Sequence, residues 1–299
     1  MKLYDCFQFF DEEMLLDLRL NIMDKYVDKF VITEATYMHN GKSKKLVFDI
    51  KKFNKFKDKI IYIVVDKQPP DIHEIYEKDS DEEDTKGQKL ILNGYKRDNF
   101  QREMAQKFLK NVDENDWIII NDIDEIPNLE KVDFNKNKNN LILFKQQIYF
   151  YKFNLHYPSS PWFGSRACMK KNFISPQWLR DIKQKKYPIW RFDTLFSKKK
   201  YQNIKYINDG GWHFTNIKTP ENILKKLLNY THHDEFERSG IDIKILKEKI
   251  ADKKAIYDHS VDQKSNKWES RTKLNKIDLN KMPDYLRKNY KKYSAWLEF

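Results

Sequence analysis

The chain has 299 residues, of which 40% are hydrophobic and 15% aromatic, enough apolar side chain for one large core and too much for a disordered protein. Its 7 Gly and 9 Pro argue against a loop-rich all-β sandwich. The net charge is +12, but the lysines are spread over the whole chain among Asp, Glu and Asn, so nucleic acid is not an expected partner.

Leu3–Phe10 reads as a first strand, and Glu12–Met23 as a helix with Leu15, Leu18 and Ile22 on one face. Arg19 falls on that same face and is expected to be an ion-pair partner. Asp5, Asp11, Glu12 and Glu13 come before any long apolar run, and no eighteen consecutive residues are apolar. The expectation is a cytoplasmic protein, soluble or peripheral, without signal peptide or membrane span. Cys6 and Cys168 lack the spacing of a metal site and read as small buried hydrophobes.

Lys29–Ala35 is a second strand, carrying Glu34 near its end, and Ile60–Val65 a third. Residues 67–95 hold Pro69, Pro70, the acidic run Asp79–Asp84 and Gly87, which predicts a long loop acting as a lid. Tyr95–Val112 then reads as a helix with Phe100, Met104, Ala105 and Phe108 on its apolar arc. Trp117–Ile120 is a short apolar strand. From Leu141 the pattern turns to short aromatic strands, and after Pro220 it is helical and polar. This alternation predicts an α/β fold with a parallel sheet and crossover helices. The expected division is a catalytic domain over 1–220, with a donor half at about 1–130 and an acceptor half at 131–220. A helical region over 221–299 packs on it.

Chemistry concentrates in Asn121-Asp122-Ile123-Asp124-Glu125-Ile126-Pro127, directly after the apolar strand. Alternation puts Asp122 and Asp124 on one side, where two hard oxygen ligands suit Mg²⁺ or Mn²⁺ holding a diphosphate. The competing reading is an Asp-rich turn that caps the next element. Arg97 and Gln101 sit within the apolar arc at the start of their helix, suited to phosphate and base, or to a structural salt bridge. Glu34 has the position of a ribose acceptor. In Gly210-Gly211-Trp212-His213-Phe214, Trp212 offers a face for a sugar ring and His213 an imidazole for metal or phosphate. The alternative there is a buried strand with a hydrogen-bonded histidine.

These segments together resemble glycosyltransferase family 17, whose best-known members are the β-1,4-N-acetylglucosaminyltransferases that add bisecting GlcNAc. The resembling pieces are YDCFQFFDEEMLLDLRL at Tyr4–Leu20, VDKFVITEATYMHNGKSKKL at Val27–Leu46, RDNFQRE at Arg97–Glu103, INDIDEIPN at Ile120–Asn128, GGWHF, PENILKKL at Pro220–Leu227, and HHDEF at His232–Phe236. The resemblance implies a GT-A fold with a Rossmann-like sheet, a UDP-sugar donor with GlcNAc favoured, a glycan or glycolipid acceptor, and inversion. It implies Mn²⁺ or Mg²⁺ held through Asp122 and Asp124 and completed by His213, with Glu34 on the uridine side and Gly164 in a loop near donor and acceptor.

A carboxylate is expected to deprotonate the acceptor: Asp209, beside the GGWHF strand, is the first candidate, then Asp193, Asp181 and Glu235. Two other readings are a non-catalytic binder of glycans or nucleotide sugars, and a nucleotidyltransferase. The second would need a Gly-rich phosphate loop where this chain has Phe9-Phe10-Asp11-Glu12-Glu13. In Met282–Phe299, Leu286, Tyr290, Tyr293 and Leu297 form one stripe at helical spacing, with Arg287, Lys288, Lys291 and Lys292 mostly off it. That predicts a helix docked on the catalytic domain, or an interfacial helix making peripheral contact with an anionic membrane.

Overall fold

A computed structural model describes residues 1–80, 83–138, 140–158, 161–185, 187, 190, 196–201, 203–258 and 267–299. Strand β1 (Leu3–Phe9), helix α1 (Glu13–Met23), strand β2 (Lys29–Ala35) and strand β3 (Ile60–Val65) open the chain. Helices α2 (Glu83–Glu103) and α3 (Gln106–Leu109) lead to β4 (Trp117–Asp122). The four strands are parallel, in the order β3-β2-β1-β4. Both faces of such a sheet are covered, so β4 reads as an unbroken apolar run, and Trp117 to Ile120 are all buried.

After a two-residue turn comes β5 (Glu125–Pro127), then β6 (Leu141–Phe144), β7 (Gln147–Phe150), β8 (Leu155–His156) and β9 (Arg166–Met169). Helix α4 (Pro176–Asp181) precedes β10 (Ile204–Ile207) and β11 (Gly211–Thr215). β9 runs antiparallel between β4 and β6, giving the sheet β10-β6-β9-β4-β1-β2-β3. The remaining chain adds α5 (Pro220–Leu227), α6 (His233–Arg238), α7 (Ile243–Ala251), β12 (Asn275–Lys276) and α8 (Asp284–Lys288). A second sheet runs β12-β8-β7-β11-β5. The Ile123–Asp124 turn is thus where the chain passes from one sheet to the other.

The predicted α/β character holds, and β2 and β3 have the boundaries expected of them. Two other expectations need correction. The loop expected over 67–95 is helical in its second part, where a 3₁₀ turn covers Glu77–Ser80 and α2 starts at Glu83. Gly87 does not break it: a Cβ there would come within 2.8–2.9 Å of Arg238 and Asp234, so the missing side chain lets α6 pack closely.

The C-terminal stripe is not one helix either. α8 has five residues, and a single 3₁₀ turn follows at Ser294–Trp296. Leu286, Tyr293 and Leu297 are buried in the main core while Tyr290 is exposed. The Tyr293 hydroxyl donates to Asp17 on α1 at 2.6 Å. The apolar stripe an interfacial helix would offer to lipid is therefore occupied by docking. No helix among the described residues is long and apolar enough to cross a membrane.

Candidate functional site

The parallel strands β1 and β4 end beside the turn between the sheets, and that turn is held from below by a buried ion pair. Arg19 and Asp5 are both fully buried, joined by Nε–Oδ2 and Nη2–Oδ1 bonds of 2.8 and 2.7 Å. Arg19 Nη1 then donates to the carbonyls of Asp122, Ile123 and Glu125 at 3.3, 3.3 and 2.7 Å. A helix near the start of the chain thereby fixes a turn some hundred residues on. The ion-pair role expected of Arg19 is the one it has.

Above this support, Asp122 is gripped by two guanidinium groups: Arg180 donates to Oδ2 at 2.7 Å and Arg102 to Oδ1 at 3.1 Å. Burial, with Glu125 alongside, holds the Asp122 carboxyl above the usual carboxylate range despite those arginines. Arg180 also donates to both oxygens of Glu125, at 2.6 and 2.7 Å, and to the Gly164 carbonyl. Burial opposes ionisation of Glu125, but Arg180 outweighs it and lowers the carboxyl.

Gly164 is a glycine because a Cβ there would overlap the Glu125 carboxylate. Gly164→Ala should therefore push Glu125 off Arg180 and destabilise the fold by about 1–3 kcal/mol. Thermal denaturation checks this, and an unchanged melting temperature would mean that Glu125 has room to yield.

Asp124 sits in the turn itself. Its Oδ1 lies 3.7 Å from His213 Nε2 and its Oδ2 lies 3.7 Å from Lys226 Nζ. Burial opposes the charge, yet His213 and Lys226 hold the Asp124 carboxyl well below its ordinary range. His213 stacks on Trp162, with ring centroids 5.1 Å apart, and Trp162 Nε1 donates to Glu125 at 2.5 Å.

For a divalent cation these donors fit in part. Mg²⁺-type ions take one or two protein ligands with phosphates and water, their cis ligands being roughly 3 Å apart. Asp124 Oδ1 and His213 Nε2 need only a small shift to reach that. Asp122 as placed does not fit, since both its oxygens already accept from arginines. Among the described residues, no group of three or more His, Cys, Asp or Glu could hold a metal ion by itself.

Asp122, Ile123 and Asp124 form one wall of a cleft of about 260 Å³, with Phe9, Phe10, Tyr37 and Lys226 on the others. Gln101 reaches this cleft, its amide donating to the Thr33 carbonyl at 2.9 Å. Arg97 does not sit at a helix start. It lies deep inside α2 and donates to Gln68 and to the His39 carbonyl at 2.7 and 3.0 Å.

Glu34 is fully buried and takes Lys44, the amides of Val47 and Phe48, and the Tyr62 hydroxyl. This leaves no face of its carboxylate for a ribose. Trp212 and His213 are neighbours on β11 and so point to opposite faces. Trp212 lines a separate, wider hollow of about 1080 Å³, and Asp209 lines that same hollow rather than the cleft. Asp209 is thereby removed from the base position expected of it.

Of the other base candidates, Asp181 accepts from Lys199 and Gln177 at 2.5 and 2.8 Å. Glu235 pairs with His232 at 3.2 Å. Asp193 lies outside the described residues.

Sequence reasoning missed Arg180, Arg102, Glu125, Lys226 and Tyr37. Arg102 and Lys226 lay inside segments already singled out, whereas Arg180 carries no local pattern at all. The model of a protein family described as Glycosyltransferase family 17 matches residues 1–298. No curated protein matches the chain. Among solved structures, the crystal structure of HddC from Yersinia pseudotuberculosis is similar at a TM-score of 0.33 and 11% identity, over 69% of this chain and 89% of that one. That likeness is too distant to bear on function.

Proposed function

The chain belongs to glycosyltransferase family 17, and from that premise we propose that it transfers a sugar, with GlcNAc favoured, from a UDP-sugar to a glycan or glycolipid acceptor with inversion, on a GT-A-type scaffold. One observation carries the reading: Asp124 and His213 converge, 3.7 Å apart, beside a cleft at the ends of the parallel strands β1 and β4. Ligands of open α/β sheets bind at that edge.

Asp124 and His213 are the residues that would hold Mn²⁺ or Mg²⁺, which when bound supplies positive charge to a leaving diphosphate. Arg180 and Arg102 keep Asp122 in one orientation at the cleft wall. Phe9, Phe10 and Tyr37 give the cleft an aromatic end for the nucleoside. The Tyr37 hydroxyl is buried with no hydrogen-bond partner among the described residues, a cost that a bound polar group would remove.

The rival nucleotidyltransferase reading needs free backbone amides after β1 to cradle phosphates. Here the amides of Phe10 and Asp11 donate to the Glu12 carboxylate, both at 3.1 Å. The deciding experiment is a donor screen that follows nucleotide release from several UDP- and GDP-sugars, with Mn²⁺ present or chelated. The expected result is release of UDP from one UDP-sugar and its loss on chelation. Binding without release would favour a non-catalytic binder, and pyrophosphate from UTP would favour the nucleotidyltransferase.

A further inference from the structure

We propose that Lys226 is a catalytic residue whose ammonium group takes up the charge of the departing diphosphate; this rests on the transferase reading above. Lys226 lies in the last turn of α5, a helix capped by the Thr219 side chain and begun by Pro220. Ile223 and Leu227 of that helix are buried at 0% and 1% exposure, so α5 is fixed on the core while Lys226 lines the cleft.

Its Nζ stands 3.7 Å from Asp124 Oδ2, and the other oxygen of Asp124 faces His213. At 3.7 Å the pair is beyond hydrogen-bond length, so little directional bonding is lost when either member turns to a ligand. The neighbouring cation, Lys218, is committed differently: it binds Asp11 and lies 3.3 Å from Glu12. Lys226 is thus the cleft's exchangeable ammonium group. It has a single carboxylate within 4 Å among the described residues, and that carboxylate is the one best suited to a metal ion.

The chemistry assigns it a use. As the acceptor oxygen bonds to the anomeric carbon, the bond from that carbon to the β-phosphate oxygen breaks, and its electron pair stays on the phosphate. The acceptor proton passes to a carboxylate or to water. The new negative charge appears on the diphosphate, beside Asp124. Asp124 would serve as a ligand of a divalent cation, and Lys226, 3.7 Å from it, would then be free to turn to a phosphate oxygen. Lys226 would thus add a positive charge beside the leaving group without depending on Asp124 for a hydrogen bond. The Tyr230 side chain lines the same cleft, and its hydroxyl is buried without a partner among the described residues.

The test uses the full chain with Mn²⁺, comparing wild type, Lys226→Gln and Lys226→Arg for titration with UDP and UMP and for turnover of the donor found in the screen. For the Gln variant, UDP affinity should fall about tenfold or more and turnover about 10²–10³-fold. UMP affinity should stay within about twofold, because UMP lacks the leaving phosphate, and the Arg variant should recover most of both losses. Lys226→Met, which keeps the apolar stem, replaces the Gln variant if that protein melts early. A neutral variant with UDP affinity and turnover near wild type overturns the assignment. So does an equal loss for UDP and UMP, the mark of a residue that merely neutralises Asp124. If the wild-type chain binds neither nucleotide, the transferase reading itself fails and this assignment falls with it.

Discussion

Replacing Asp124 with alanine is expected to abolish transfer, with a loss on the order of 10³-fold or more, and to weaken UDP binding while leaving the fold intact. The side chain is the point at which His213 and Lys226 meet, so its removal takes away a carboxylate that faces both. The backbone does not depend on it. The Asp124 carbonyl accepts from the Phe214 amide at 2.8 Å, and Arg19 holds the carbonyls on either side. Turnover and UDP titration check the prediction, with a melting curve to show that the turn survives. If the variant keeps near wild-type turnover, or if a chelator leaves the native enzyme unaffected, the metal site is misassigned.

The second large effect is on stability. Arg19→Met strands the Asp5 carboxylate, fully buried, with only Asn121 at 2.6 Å still donating to it among the described residues. Breaking a buried pair by removing one partner costs about 3–5 kcal/mol, and three turn carbonyls each lose a donor as well. Arg19 also lies over the Phe7 ring at 4.5 Å, a contact the methionine retains only as packing. Urea unfolding should show that loss, and Asp5→Asn in the same chain should return part of it by removing the stranded charge. A loss below about 1 kcal/mol, within the range of an exposed pair, would contradict the role given to Arg19.

What the sequence made legible was periodic. Short runs rich in β-branched and aromatic residues gave the limits of β2 and β3, and the acid pair just beyond Trp117–Ile120 could be found without any structure. Long-range pairing was not legible. Glu34 has the position of a ribose acceptor, but the chain returns through Val47 and Phe48 to saturate it, and nothing local announces that return.

Asp209 was favoured for its nearness in sequence to His213, yet its φ of 48° puts it in a tight turn, and it shares a hollow with Trp212 instead. Asp209 stands four positions before His213, in the turn ahead of β11, and adjacent strand residues face opposite ways, so nearness in sequence did not bring it to the His213 side. Arg180 and Arg102 come from separate helices to one carboxylate. No spacing rule connects them.

The tail that docks Tyr293 on α1 also bears on how the protein is made. Tyr293 follows Asp17 by 276 positions, and β1 needs β4 beside it before the central sheet exists. A ribosome therefore exposes α1 and the first strands long before their partners emerge. Pairings so distant in sequence form slowly, and the half-made chain carries unpaired strand edges of the kind that chaperones shield. The Arg19–Asp5 support draws only on residues up to Glu125, so it can form while the tail that carries Tyr293 has still to be made.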